Sequence, residues 1–570
     1  MSPDLAPWLL LGIALAPWPA LVFARHAWAP LAPALLALAA AIALASFNGI
    51  DPRLDLPWLL LGTGLRLDAV TGALLLMSAL LWSAAAFHHA AQAGHDPRGT
   101  RFRVFFLLAM AGNFWLLLAA DALGFFLGYA LMGLSAAGLV AHRDTHSTRH
   151  ATRAYLAFTV LGETVLFAAL AVIAANAPDL RPETLRAHAG PVGAALLLFA
   201  FAIKLAAPGL HLWLPLAYRA APAPGAAVMA GAMMKAGVLG LILFLPWDQT
   251  WFAGWSPWLM LLGITASLYG VAMGLMQTDM RTVLAYSSLS QMGWVFLIFG
   301  IEASLFLEPA PGALAAAASG TTVGAQQSAL IAVLVGFAVH HGLVKGALFL
   351  VLDRVATHRL WLWPLGLLAL ALAGAPLTSG WWAKGALKIA VEPVMPGLGP
   401  WLMAATAATT LLMARLLYLA FRTPATGAAP ILDRAAIGPL IVTAAVLLLP
   451  LWLAGATRPE ALGALPVLLA LGLAAIVAYA PPGFLRQRVR TLPPGDLPAL
   501  LWQEWRLRRP RLAAANMQRP DWREHLPSPI RARAPRPAGA SMSHWARGGA
   551  LLLSLIVLAA LSAWLGTGPS

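Results

Sequence analysis

The chain has 570 residues, of which 60% are hydrophobic and only 10% are charged, and its mean hydropathy is +0.77. Soluble domains carry about 25% charged residues, so this composition excludes a soluble globular protein and indicates one that crosses a membrane many times. The sequence contains no cysteine, which excludes disulfides, thiolate metal sites, iron–sulfur clusters and a cysteine nucleophile.

Apolar runs long enough to span a hydrocarbon core of about 30 Å recur along the whole chain, which predicts an all-α polytopic membrane protein with about 16 transmembrane helices. The first run begins at Ala6 without a basic segment before it, so we expect no cleavable signal peptide. The candidate segments lie near residues 7–23, 29–48, 67–87, 103–120, 122–141, 155–175, 192–210, 225–246, 256–276, 283–302, 327–351, 361–379, 398–420, 435–455, 461–480 and 548–566.

Lysine and arginine residues are distributed unevenly among the loops between these segments. With both termini outside, most of the 37 Lys and Arg fall in cytoplasmic loops. The positive-inside rule therefore predicts a multi-pass protein of a bacterial inner membrane with both termini outside. The net charge of +15 is concentrated in these membrane-flanking loops, so it does not indicate a nucleic-acid partner.

Residues 481–547 form an Arg- and Pro-rich cytoplasmic segment before the last apolar run. Within it, residues 496–514 predict a short amphipathic helix with leucines towards the bilayer and arginines on the other face. The prolines forbid one long helix across the segment. Two roles remain open: attraction to anionic lipids, at about 1 kcal/mol per basic residue, and docking to a partner subunit.

Two lysines, Lys204 and Lys235, lie in apolar runs separated by Pro208 and three further prolines, which are expected to interrupt a membrane helix. A charged residue inside such a helix costs a few kcal/mol or more, so it is interpreted as functional. The alternative is a lysine near a helix end that extends to the lipid headgroups.

Further ionisable residues lie inside the apolar segments. Glu163 lies in the middle of one run, His341 and Lys345 are four residues apart and share a helix face, and Lys384 follows an interruption at Pro376. One arrangement that would lower the free-energy cost of burying these groups is a hydrated row of them along the membrane midplane. Three other histidines are expected at the membrane interface or in loops: His88, His89 and His340.

Five stretches, in this order, resemble the antiporter-like family, which comprises the proton-conducting subunits of respiratory complex I, of membrane-bound hydrogenases and of Mrp-type cation/proton antiporters. They read KLAAPGLHLWLPLAYRAAPAP (204–224), AGAMMKAGV (230–238), DMRTVLAYSSLSQMG (279–293), HHGLVKGALFL (340–350) and GAPLTSGWWAKG (374–385). The resemblance covers roughly residues 65–420 and implies two inverted five-helix repeats, each with a broken helix and a half-channel.

The resemblance also implies a domain organisation. The expected parts are N-terminal transmembrane helices (1–100), the first repeat (101–250), the second repeat (251–422), C-terminal transmembrane helices (423–480), the amphipathic segment (481–547) and a last transmembrane helix (548–570).

The resemblance implies a role for each buried base. Lys204 is similar to the family's central lysine on the first broken helix, and Lys235 to the lysine of the following helix. His341 and Lys345 are similar to the pair that connects the half-channels, and Lys384 to the terminal lysine on the second broken helix. The implied proton pathway consists of Glu163, Lys204, Lys235, His341, Lys345 and Lys384, with helix breaks at Pro208 and Pro376.

Ala130 is a departure from the family pattern, because many members carry a glutamate at this point of a stretch that here reads GYALMGLS (128–135). The carboxylate that pairs with the central lysine is therefore absent from this helix. Glu163, on the next helix, is the only well-buried replacement, and we hypothesise that a Glu163–Lys204 pair does the switching. Without a substitute carboxylate, the first half-channel would be weakened.

Three functions remain open. The first is a proton-translocating subunit of a multi-subunit complex of the NADH dehydrogenase or hydrogenase type. The second is a subunit of a Mrp-type cation/proton antiporter or of an ion-driven inorganic-carbon uptake complex, moving H⁺ or Na⁺. The third is a membrane scaffold with vestigial lysines, which Ala130 makes conceivable.

A stand-alone enzyme is not indicated, because the sequence contains no phosphate loop, no dinucleotide fingerprint after a strand and no nucleophile elbow. We therefore expect no catalytic centre, cofactor or metal in this chain, although the complex around it could be an oxidoreductase. The expected partners are other membrane subunits, protons or Na⁺, and anionic lipids at 481–547.

Overall fold

The described part of the computed structural model is mostly helical. The structure describes residues 5–45, 51–59, 62–92, 94, 96–306, 323–392, 394–427, 431–453 and 464–479. The predicted amphipathic segment at 481–547 and the predicted last helix at 548–566 lie outside the described residues.

The α-helices follow one another along the chain with short connections. Those of the first half are α1 (Ala6–Leu15), α2 (Pro17–Val22), α3 (Leu31–Ala45), α4 (Ala69–Gln92), α5 (Gly99–Leu118), α6 (Ala122–Val140), α7 (His146–Ala174), α8 (Pro182–His188), α9 (Pro191–Lys204), α10 (Trp213–Ala220), α11 (Ala223–Val228) and α12 (Lys235–Phe244). Those of the second half are α13 (Ser256–Leu275), α14 (Met280–Ser304), α15 (Val323–Val355), α16 (Leu362–Ala373), α17 (Ser379–Val391), α18 (Gly399–Arg422), α19 (Arg434–Leu453) and α20 (Leu465–Tyr479).

Short helical turns of other types also occur between the helices of the described ranges. A π-helical turn, Met229–Met233, lies between α11 and α12, and 3₁₀ turns at Thr250–Trp255 and Arg359–Trp361 precede α13 and α16. Several long helices begin at a polar N-cap whose side-chain oxygen accepts the backbone N–H three residues later. These caps are Asp121 of α6, Thr145 of α7, Asp279 of α14 and Thr378 of α17.

Ten helical segments in the described ranges are long and apolar enough to cross a membrane. They are Ala69–Gln92, Gly99–Leu118, Ala122–Val140, His146–Ala174, Ala223–Phe244, Thr250–Leu275, Met280–Ser304, Ser328–Val355, Gly399–Arg422 and Arg434–Leu451. Shorter apolar helices occur at Ala6–Val22, Leu31–Ala45, Pro191–Lys204, Arg359–Ala373 and Leu465–Ala475. The predicted polytopic helical membrane fold is thus confirmed, while the total of about 16 spans stays a prediction.

A short β-hairpin interrupts the helices before α4, and the sequence did not predict it. Strands β1 (Arg53–Leu56) and β2 (Thr63–Arg66) pair antiparallel, with Arg53 opposite Arg66. The hydroxyl of Thr63 and the N–H of Gly64 donate to Asp121, the N-cap of α6. Strands of four residues give too weak a pattern for a prediction from sequence, so the hairpin is recognised from its contacts in the structure.

The centre of the protein consists of three spans that other helices surround. The apolar windows of Ala223–Phe244 and Met280–Ser304 are wholly buried within the protein, and that of Ser328–Val355 is 89% buried. By contrast, only 33% of the window of His146–Ala174 is buried. Because lipid does not reach the central spans, any polar group on them must find its partner inside the protein.

The central helix α14 packs against α13 through glycines. A Cβ built at Gly293 would lie 2.5 Å from the backbone oxygen of Gly263, so the two helices approach backbone to backbone. We expect Gly293→Ala to destabilise the protein by about 1–3 kcal/mol, because the helices must separate to admit the methyl group. The matched control is Gly366→Ala on α16, where a Cβ would meet nothing within 4 Å.

Thermal unfolding of the two variants in the same detergent checks this prediction. An apparent Tm of Gly293→Ala equal to that of Gly366→Ala contradicts the close backbone contact.

Candidate functional site

The first helix interruption lies between α9, which ends at Lys204, and α10. Pro208 lies inside it, and Ala206 has a left-handed backbone conformation (φ 55°) that an α-helix does not contain. The indole Nε1 of Trp213 donates to the carbonyl of Ile203 at 3.0 Å and so satisfies an acceptor released at the end of α9. The interruption therefore places Lys204 at a helix end within the protein.

Lys204 contacts an aromatic ring and a small cavity. Its Nζ lies 4.9 Å from the centre of the Tyr129 ring on α6, at cation–π distance. The cavity, which Tyr155 and Thr159 also line, has a volume of about 20 Å³, enough for the centre of one water molecule. The ammonium group thus lies between an aromatic face and a site that can hold water.

Glu163 is buried on α7, with its carboxylate pressed against α6. A Cβ built at Gly133 would lie 2.2 Å from Glu163 Oε1, so the carboxylate fills the notch that this glycine leaves. The same oxygen has no hydrogen-bond partner among the described residues. Glu163 and Lys204 interact electrostatically, but they do not form an ion pair within 4.0 Å, because the ammonium lies over the Tyr129 ring.

Lys235 and His341 are in direct contact in the centre of the protein. Both side chains are fully buried, and Lys235 Nζ lies 2.9 Å from His341 Nδ1 on α15. Lys235 lies two residues after the end of the π-helical turn, and its Nζ also lies 3.4 Å from the carbonyl of Ala230 within that turn. At most one of the two nitrogens is expected to be a cation, because two cations so close in an apolar interior would repel strongly.

Lys345, one turn after His341, contacts a different helix. Its Nζ donates to the carbonyl oxygen of Leu284 and, at 2.8 Å, to the hydroxyl of Ser287, both on α14. The predicted shared face of α15 therefore connects two neighbours: His341 contacts α12 and Lys345 contacts α14. No carboxylate in the described ranges lies within ion-pair distance of this lysine.

The second helix interruption separates α16 from α17. Pro376 lies inside it, and Gly374 (φ 88°) and Leu377 (φ 65°) have left-handed backbones. Lys384 on α17 reaches back across the interruption, and its Nζ lies 3.0 Å from the carbonyl of Ala373 and 3.2 Å from that of Leu372. These are the last carbonyls of α16, where the helix dipole favours a cation.

A cleft of about 370 Å³ gives access to Lys384. Trp294 of α14 lies on its inner side, with its ring centre 5.7 Å from Lys384 Nζ. Lys388 and Glu392, one and two turns further along α17, also line the cleft. Lys384, which is buried, therefore lies on the wall of a cleft that Lys388 also lines.

His340 is a correction to the sequence analysis, which expected it at the membrane interface or in a loop, and His88, near the end of α4, is buried as well. Both side chains are fully buried. His340 Nδ1 lies 2.9 Å from the hydroxyl of Ser379, the first residue of α17, and so links α15 to the helix that carries Lys384. Apolar flanks alone do not distinguish a histidine in a helix core from one at its end. His89 is also mostly buried, against the Phe102 ring.

Several buried polar atoms between these bases have no hydrogen-bond partner in the part of the chain that the structure describes. They are Gln291 Oε1, Trp294 Nε1, His340 Nε2 and His341 Nε2. Such atoms in native proteins are satisfied by ordered water where the site is polar and roomy enough. Their position between His341 and Lys384 makes this the region where we expect buried water.

Glu302 is a buried carboxylate that the sequence analysis did not single out. It lies in the last turn of α14 with no exposed surface, and neither carboxylate oxygen has a hydrogen-bond partner among the residues described. An acidic residue inside an apolar run was the signal available in the sequence. The described residues contain no cluster of three or more His, Cys, Asp or Glu suited to a metal ion.

Known proteins resemble this chain in sequence over part of its length. It is 28% identical over 319 residues to NADH-quinone oxidoreductase subunit N of Halorhodospira halophila, covering 52% of this chain and 62% of that protein. It is 30% identical over 258 residues to an NAD(P)H-quinone oxidoreductase chain 4 of Picosynechococcus sp., covering 43% of this chain and 45% of that protein. The chain thus spans less than two thirds of the length of these curated relatives.

Solved structures share the fold at lower identity. The Mrp complex from Dietzia sp. matches with a TM-score of 0.67 at 20% identity, over all of this chain and 64% of that one. The membrane-bound sulfane sulfur reductase, an archaeal respiratory membrane complex, matches with a TM-score of 0.64 at 19% identity, over 96% and 99% of the two chains. Residues 119–413, just over half of the chain, match the family model described as NADH:quinone oxidoreductase/Mrp antiporter, TM. The chain therefore belongs to the NADH:quinone oxidoreductase/Mrp antiporter transmembrane family.

Proposed function

We propose that the chain is a proton-translocating, antiporter-like subunit of a multi-subunit membrane complex of the NADH dehydrogenase or hydrogenase type. The observation that carries this proposal is the 2.9 Å contact between Lys235 and His341, two bases on different helices in a fully buried centre. A purely structural role does not require two titratable nitrogens in contact at this position. Burying two basic side chains costs free energy, so their presence indicates a function. Moving one proton between them changes the charge on two helices at once.

The first step of the proposed path joins Lys204 to Lys235. A Cβ built at Gly237 on α12 would lie 3.3 Å from the Cβ of Lys204, so the end of α9 packs directly against the helix that carries Lys235. The cavity beside Lys204 lies on its α6 and α7 side and has room for one water, which would carry protons to and from Lys204 there.

The second step joins His341 to Lys384. His340, adjacent to His341, binds Ser379 of α17, and Lys384 lies five residues further along that helix. Water that hydrogen-bonds to the unpartnered atoms of Gln291 and Trp294 would hydrate the region beside this link. From Lys384 the proton would leave through the cleft that this lysine lines.

Glu163 takes the place of the glutamate that family members carry at the position of Ala130. Ala130 lies three residues before Gly133 on α6, and Gly133 is the residue against which the Glu163 carboxylate rests. The negative charge is therefore supplied by α7, yet it lies beside α6, about one helical turn from its position in other members. We propose that it controls the charge of Lys204 through water rather than through a direct ion pair.

The rest of the proposed arrangement follows the family. It includes about 16 spans, two inverted five-helix repeats, both termini outside a bacterial inner membrane, and other membrane subunits as partners. Residues 481–547 would lie on the cytoplasmic surface against anionic lipid or a partner subunit. In this orientation the cleft at Lys384 opens towards the outside.

A second candidate is a subunit of a Mrp-type cation/proton antiporter or of an ion-driven inorganic-carbon uptake complex. The observation that favours it is the fold shared with the Mrp complex at a TM-score of 0.67. The same row of bases would then couple H⁺ or Na⁺ movement to a solute instead of to electron transfer.

Purification of the native complex in mild detergent, with identification of its subunits, separates the two candidates. We expect redox subunits to copurify with the chain, and proton uptake by sealed vesicles to start on addition of an electron donor. Copurification of small membrane subunits alone, with ion exchange that needs no electron donor, supports the second candidate instead. A chain that purifies without any partner contradicts both.

A further inference from the structure

A cluster of polar side chains, separate from the row of lysines described above, connects four helices. His88 and Gln92 lie on α4, Asp353 on α15 and Arg281 on α14. The carboxylate of Asp353 accepts from Gln92 Nε2 at 3.2 Å and from Arg281 Nη2 at 3.4 Å, and it lies 3.2 Å from His88 Nε2. The fourth helix, α19, contributes the carbonyl of Ala435.

The imidazole of His88 has acceptable partners in both of its protonation states. Nδ1 lies 2.7 Å from the Ala435 carbonyl, which can only accept, so Nδ1 keeps its proton and Nε2 is the atom that gains or loses one. Nε2 lies 3.1 Å from the Gln92 side-chain nitrogen and 3.2 Å from Asp353 Oδ2. A neutral Nε2 accepts from Gln92, and a protonated Nε2 donates to Asp353.

We propose that His88, held by Gln92, Asp353 and Arg281, is a proton-binding site that controls proton flow in the second half of the chain. This inference rests on the function proposed above and adds a site to it. Asp353 is 28% exposed at its side chain while His88 is fully buried, so a proton from water reaches the imidazole past the carboxylate. Since Asp353 and Arg281 have opposite charges, the proton on His88 sets the net charge of the cluster.

The charged groups around the cluster are few and mostly paired. On α15, Arg354 binds Asp433 at 2.9 Å, and around Arg281 the nearest charges are Asp353, Arg143 and Asp279. On α4, His89 faces the Phe102 ring at 4.4 Å. On α19, Arg434 is exposed.

The cluster lies close enough to Lys345 to affect it. Lys345 and Asp353 are eight residues apart on α15, about 12 Å along the helix axis. Arg281 lies one turn before Leu284, whose carbonyl accepts from Lys345. A positive charge gained at the cluster repels a proton held by Lys345. Proton binding at His88 would therefore drive the proton off Lys345 and onward along the row.

The test uses Gln92→Glu, which changes an exposed residue to one of the same shape. A second carboxylate beside His88 holds its proton to higher pH, so the pH profile of proton flux in sealed vesicles should move up by about one unit, a tenfold lower proton concentration. His88→Gln should flatten this profile. His89→Gln, a histidine change at the next position, should leave the profile of the wild type.

The profile of Gln92→Glu decides the proposal. A profile that coincides with that of the wild type overturns the site, and so does a His89→Gln profile that changes as much as that of His88→Gln. A failure of the proposed proton-translocating function would give a different result. In that case Lys235→Met and Lys384→Met would retain proton flux, whatever the pH dependence of the Gln92→Glu variant.

Discussion

Lys235→Met is expected to reduce proton flux at least tenfold while leaving the protein folded. Methionine has a similar length and no charge, so the variant fills the same space without the cost of burying an ammonium group. The loss of flux follows because His341 Nδ1 loses the nitrogen that lies 2.9 Å away and exchanges a proton with it. Flux is measured in sealed membrane vesicles with a pH-sensitive dye, beside the neighbouring substitution Met234→Leu as control.

The Lys235–His341 pair also predicts how two substitutions combine. His341→Gln alone should cost about as much flux as Lys235→Met, and the double variant should lose little more, because the two bases act as one unit. Losses that multiply would show that the two residues lie on separate paths, and wild-type flux in Lys235→Met would remove the pair from the mechanism altogether.

Glu163→Gln is expected to give the second large effect, again a loss of at least about tenfold in proton flux. The glutamine fits the notch at Gly133 but cannot ionise, so the electrostatic interaction between residue 163 and Lys204 is lost. The matched control is Glu183→Gln on α8, an exposed glutamate outside the spans. This control should pump at the wild-type rate.

A second experiment restores the glutamate that many family members carry at the position of Ala130. The double variant Ala130→Glu with Glu163→Gln places a carboxylate on α6, within about one turn of Gly133. Ala130 is only partly buried, so there is room for the longer side chain. We expect most of the lost flux to return. If Glu163→Gln pumps normally, Glu163 is not the replacement; if Ala130→Glu brings no recovery, the carboxylate has not simply moved from one helix to the other.

The sequence sufficed to predict that this is a helical membrane protein and where most of its helices lie, because length and hydropathy determine whether a segment spans a membrane. It also indicated Lys204, Lys235, Lys345 and Lys384 as charged residues within apolar runs. In the structure the last three are buried and Lys204 is half-buried. The prolines marked the two positions at which α9 and α16 end, because a residue without an N–H cannot continue the hydrogen-bond ladder.

The sequence did not indicate which residues these side chains contact. A helix-period pattern shows that a residue is buried but not which helix it faces, so nothing indicated that Lys235 would meet His341 or that Lys204 would lie over Tyr129. His340 was wrongly expected at the membrane interface or in a loop for the same reason. The notch at Gly133 depends on the packing of α6 against α7, which no single segment encodes.

The central claim, that protons cross the protein along its buried bases, is tested most directly by comparing two lysines of one helix. Lys384 and Lys388 lie one turn apart on α17 and line the same cleft, but only Lys384 reaches the last carbonyls of α16. Proton flux through sealed vesicles is measured for Lys384→Met and Lys388→Met at equal amounts of assembled complex. The account predicts a loss of at least tenfold for Lys384→Met and nearly full flux for Lys388→Met. Full flux in Lys384→Met, or equal losses in both, would contradict it.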